Sequence, residues 1–316
     1  MKMAGDSYMN KRNTLLELWR FFFCVAVLAF HFFSKKGSEL FHGGYLGVEF
    51  FFIVSGYFTG AYYCRCQEGR SMAERLKSIA SYARSRLKRL YPFYLLSLIL
   101  MLFVRTVINR YHFFDVLRLI KNCFAEFILL QWTPLGNEVL ISAGWFVPAV
   151  FFGGLFFVII LALTGKTGGY IIAPLISFFI YRYYFNLIGK IDVIYAYHSV
   201  LRGVAGVALG VFIYFLCKHL RSLMDKLSKG GLLSKLSCIF ASVIFLCIFI
   251  YTSYGRRSKW DFLVIALYGT GLLFLMAGSV KLPEKLDKVF LFMGKITYPV
   301  YVFQMPVIEV ILALIR

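Results

Sequence analysis

The chain has 316 residues, 60% of them hydrophobic and 19% aromatic, with a mean hydropathy of +0.74. Those values exclude a water-soluble domain and define a polytopic membrane protein. The net charge of +20, which in a soluble chain would point to nucleic acid, is here a matter of which loops carry it, and no nucleic-acid partner is expected.

The predicted architecture is an all-α helix bundle with nine or ten transmembrane helices, treated as one domain over residues 1–316 with no soluble appendage. Nine apolar runs approach or reach the length that crosses a bilayer core: Leu15 to Phe33, Tyr45 to Tyr63, Tyr91 to Ile108, Trp145 to Leu163, Tyr170 to Ile188, Val200 to Cys217, Leu236 to Tyr251, Phe262 to Val280 and Thr297 to Ile315. Between the third and fourth, Tyr111 to Trp132 is apolar but carries Asp115, Arg118, Lys121 and Glu126. It reads either as a tenth, amphipathic span or as a helix in the membrane interface. The first run is too long for a cleavable signal peptide, and none is expected.

The first run contains Arg20 and, eleven residues on, His31. At 100° per residue eleven steps return to nearly the same helix face, about 16 Å along the axis, so two ionisable groups look the same way. Ionisable side chains in a span usually face a bundle interior or wet cavity, which makes a functional site the default reading; a histidine satisfied by a backbone carbonyl is the plainer one.

The second run opens Gly47-Val-Glu49 and continues to Ser55-Gly56. A short loop makes the first two spans neighbours, so Glu49 is expected near His31, where it would favour imidazolium or orient a neutral base. The plainer alternative is a headgroup-level carboxylate. Ser55-Gly56 reads as close helix packing through small residues.

The following loop carries Arg65, Arg70, Arg75, Lys77, Arg84, Arg86, Lys88 and Arg89 against only Glu68 and Glu74. The positive-inside rule makes it cytoplasmic, together with the N-terminus and its Lys2, Lys11 and Arg12, and puts His31 towards the outer end of the first span. Nine spans also place the basic loops 218–235 and 281–295 inside; ten would place them outside, while Arg256-Arg257 and Lys259 are basic on the expected outer side. Arg86 and Arg89, three apart just before Pro92, can grip one polyanion, with Pro92 expected as a helix-opening position; topology determinants or lipid-headgroup contacts are the bland reading of such arginines. The last run holds Pro299, Gln304 and Pro306, so that helix is expected to border a polar interior.

The seven cysteines are scattered and mostly intramembrane, which suits small apolar residues rather than a disulfide or zinc framework; no metal site is expected. No phosphate loop, nucleophile elbow or internal repeat is visible.

In order and spacing these features resemble the acyltransferase 3 family of integral-membrane O-acyltransferases. The resemblance rests on Arg20 with His31, Phe50-Phe-Phe-Ile-Val-Ser55-Gly56, and Arg86-x-x-Arg89 followed by Pro92; Trp145-Phe146, Arg202 with Gly210, and Tyr298-Pro-Val-Tyr301 agree more weakly. One departure is Gln304, where many members carry a histidine. The resemblance implies a bacterial cytoplasmic-membrane enzyme that transfers an acyl group, most often acetyl, from acetyl-CoA or another acyl-CoA to a hydroxyl of a cell-envelope glycan or lipid-linked sugar. His31 and Glu49 would be catalytic, with His31 either the general base or the acyl acceptor; Arg20, Arg86 and Arg89 would hold the coenzyme's phosphates, and its pantetheine arm would bring the thioester towards His31. A transporter or flippase using the same charged groups as a relay is the runner-up, and a polytopic glycosyltransferase a third reading.

Overall fold

The computed structural model describes residues 13–135, 138–227 and 231–315, and the N-terminal Lys2, Lys11 and Arg12 lie outside them. Helix α1 (Thr14–Lys35) begins where the Asn13 side chain accepts the Leu16 N–H at 3.2 Å, and carries Glu17 in its first turn and Lys35 in its last, signs that suit the helix dipole. A 3₁₀ turn (Gly44–Leu46) leads into α2 (Gly47–Cys66), which runs back antiparallel to α1. Helix α3 (Met72–Asn109) is 38 residues long, opened by a reciprocal Ser71–Glu74 capping box and closed by Arg110 at φ 52°. The basic segment is therefore helical, and Pro92 sits inside α3 rather than at a helix-opening position, contrary to the sequence expectation.

The Tyr111 to Trp132 stretch is not a tenth span. It folds as α4 (Phe113–Asn122) and the single turn α5 (Phe124–Phe127), and ten residues of helix reach only about 15 Å. Next come α6 (Phe146–Thr164), α7 (Ala173–Tyr183) flanked by π turns at Gly168–Ile172 and Tyr184–Ile188, and α8 (His198–Leu227). The chain ends with α9 (Leu232–Tyr254), α10 (Trp260–Ala277) and α11 (Glu284–Ile315). Among the described residues eight segments are long and apolar enough to cross a membrane: α1, α3, α6, Gly168–Ile188, α8, α9, α10 and α11. Helix α2 is also 20 residues, about 30 Å, but is less apolar and lies enclosed among α1, α6, α8 and α10.

Glycine permits that enclosure. A Cβ on Gly210 would fall 1.9 Å from the Ile53 carbonyl, and one on Gly56 would fall 2.0 Å from the Val207 carbonyl, so α2 and α8 meet backbone to backbone. Rings of Phe23, Phe50, Phe245 and Tyr268 fill the adjoining core, with Phe23 and Phe50 centroids 4.7 Å apart.

Helices α1 and α11 are parallel neighbours. Going up both, Glu17 abuts Gly294, the Cys24 thiol donates to the Thr297 carbonyl at 3.3 Å, and Lys35 pairs with Glu309. Within α11, Pro306 cannot donate to the Val302 carbonyl; the Ser97 hydroxyl of α3 does so instead, at 2.6 Å.

Candidate active site

Arg20, Arg86 and Arg89 come together. They line one cleft of about 700 Å³ with Ser55, Thr297, Tyr298, Tyr301 and the rings of Phe51, Phe58 and Phe146. Each arrives for a local reason: Arg20 is nearly two turns into α1, while Arg86 and Arg89 share a face of α3 with the buried Tyr82 and Leu90. Arg86 lies over the Tyr82 ring at 5.1 Å, and Arg20 donates to Glu17 at 2.6 Å, a carboxylate that occupies part of its five-donor fork. The Ser55 hydroxyl, buried in the cleft wall, has no protein partner.

The cleft is therefore cationic at one end and aromatic along its length. It reaches Tyr301, seven residues up α11 from Gly294 and one turn above Thr297. The loop beside Tyr301 is held by Glu126, whose buried carboxylate accepts the N–H groups of Leu140 at 2.5 Å and Ile141 at 3.1 Å. Burial pushes the Glu126 carboxyl up to about 7, against the opposing effect of those two N–H bonds. The Tyr301 hydroxyl donates to the Ala143 carbonyl of the same loop at 3.2 Å.

His31 lies at the other end of α1, half-buried against the Phe30 ring, and does not line the cleft. Contrary to the expectation, Glu49 is not its partner. The Glu49 carboxylate is held by the Arg202 guanidinium and by the Tyr181 hydroxyl at 2.9 Å, and the side chains of Glu49 and Arg202 are both fully buried. The reason is reach: Glu49 sits on the α2 face turned to α8, where an unpaired intramembrane arginine would be far costlier than a histidine, which need carry no charge.

Arg202 organises this end of the bundle. Besides Glu49 it donates to Asp192 at 3.5 Å and the Tyr45 carbonyl at 3.3 Å, and it stacks 4.9 Å from the Trp145 ring. Asp192 also accepts from Arg257 at 2.7 Å, which in turn bonds His42 at 3.0 Å, and Arg256 pairs with Glu39. The basic loop that disturbed the charge-based topology thus has its arginines matched with acids. Sequence reasoning named Arg202 but missed its role, and missed Asp192 and Tyr181 altogether. The available signal was an arginine inside the apolar run Val200 to Cys217, which must find a carboxylate.

These features define a polytopic helical membrane protein with an arginine-lined, aromatic-walled cleft between α1, α2, α3, α6 and α11. The family model described as an acyltransferase domain matches residues 13–316, and the chain belongs to that family, the membrane acyltransferases. No curated protein and no solved structure matches it.

Proposed function

We propose that the protein transfers an acyl group, acetyl in the first instance, from acyl-CoA to a hydroxyl of a cell-envelope glycan or its lipid-linked precursor. The observation that carries this reading is the convergence of Arg20, Arg86 and Arg89 on one aromatic-walled cleft that reaches Tyr301 of α11. Guanidinium forks suit the coenzyme's phosphates, and the aromatic walls of the cleft suit its pantetheine arm. The positive-inside rule, applied to the basic residues of α3 and the preceding loop, supports a mouth on the cytoplasmic side, where acyl-CoA is found, with His31 towards the outer side and the acceptor.

A sugar hydroxyl is a weak nucleophile, and His31 is the base that takes its proton as it attacks the thioester carbonyl. Glu49 acts at one remove as a positioning residue, by holding Arg202.

The test is transfer of label from radioactive acetyl-CoA into envelope glycan by membranes carrying matched amounts of wild type, His31→Ala or Arg86→Gln/Arg89→Gln. His31→Ala should remain in the membrane and transfer nothing. The double arginine variant should raise the apparent KM for acetyl-CoA by about tenfold or more, with a smaller effect on maximal rate. Undiminished transfer by His31→Ala would remove the mechanism.

A further inference from the structure

Gln304 is 2% exposed, and neither its amide nitrogen nor its amide oxygen has a protein partner. A primary amide in an apolar span with all its hydrogen-bonding capacity unused is costly, and such a group usually faces water or a ligand. Its neighbourhood follows from the register of α1 and α11. Cys24 meets Thr297 directly. Seven residues further along each parallel helix, two turns or about 10 Å, the same two stripes present His31 and Gln304. The Lys35–Glu309 ion pair closes the register one turn beyond. Tyr301, at the deep end of the arginine cleft, lies one turn before Gln304 on α11. Gln304 is therefore level with the histidine and just past the point the cleft reaches.

We propose that the Gln304 amide is the oxyanion donor of this site. The inference rests on the acyl-transfer reading above and names the group that stabilises its transition state. In the step it serves, the acceptor oxygen bonds to the thioester carbon while its proton passes to the His31 imidazole. The former carbonyl oxygen takes the negative charge and accepts from the Gln304 Nε2–H. Collapse breaks the carbon–sulfur bond, and the coenzyme thiolate leaves with the proton that His31 held, giving an ester and free coenzyme thiol. A donor fixed in a water-excluded span acts only as charge develops on that oxygen, so its contribution falls on the maximal rate and not on coenzyme binding.

The probe is Gln304→Met in the full chain, which keeps side-chain length and approximate volume and removes both amide groups. With [14C]acetyl-CoA and native membranes, the maximal rate of label transfer should fall about 100-fold while the apparent KM for acetyl-CoA stays within about twofold. The purified variant should unfold at the same temperature as wild type or higher, because an unpartnered buried amide has been replaced by an apolar side chain. That combination supports the proposal, since a residue serving only to hold the bundle together would lose stability. An unchanged rate in an active background overturns the proposal alone, as does a slowed variant with a lowered unfolding temperature. A wild type that transfers no label from acetyl-CoA overturns the acyl-transfer reading and this proposal with it.

Discussion

A carboxylate held between two backbone N–H groups yet buried, as Glu126 is, has opposing influences on its charge, and here burial prevails. Its folded-state pKa of about 7 lies above the ordinary 4.5, so between those values the native protein binds more protons than the unfolded chain. The resulting stability is complete below pH 4.5 and is lost as pH rises through 7. Unfolding temperatures measured in detergent should therefore decline from pH 5 to pH 7.5, and Glu126→Gln, which cannot ionise, should flatten that part of the profile. Other residues of the site differ in how far sequence revealed them. The arginines of the cleft were legible because helical spacing alone aligns Arg86 with Arg89, and Arg20 lies in the first turns of the first span. The partner of Glu49 was not, because Arg202 stands 153 residues away and only packing brings it near.

Elements fit here through missing side chains. Helices α2 and α8 touch through Gly56 and Gly210, and the atoms that a new Cβ would strike are backbone carbonyls, which no rotamer change can move. Gly210→Ala should separate the two helices and cost about 1–3 kcal/mol, read as a lowered unfolding temperature and loss of transfer. Gly269→Ala on α10 is the control. There the nearest atom is the tip of Ile213 at 3.3 Å, which can turn aside, and alanine is the better helix former, so stability should change little. The Ser55-Gly56 pair was read from sequence as a packing element, and Gly56 is one; Ser55 instead turns its hydroxyl into the cleft wall. The helical character of the basic segment before Pro92 was harder to see, since charge masks the amphipathic period that would extend α3 back to Met72.

Across the whole molecule, the Arg202 network joins the loop before α2, α2, the segment before α8, α8 itself and the loop before α10. Removing one partner of a buried pair strands the other charge, so Arg202→Met alone should lose about 3–5 kcal/mol of stability. Combined with Glu49→Leu, most of that loss should be recovered, and a double variant no more stable than the single would show that the pair is held chiefly by groups other than each other. Composition by itself determined that this chain is an all-helical membrane bundle, because nine apolar runs of spanning length have few other ways to satisfy their backbones in lipid. The local spacings of Arg20, His31, Arg86 and Arg89 determined which side chains deserved notice. The tertiary structure alone decided that three arginines share one cleft, that Glu49 belongs to Arg202 and that Gln304 stands level with His31. Those relations join residues up to 273 positions apart, and no local period encodes which face of one helix meets which face of another.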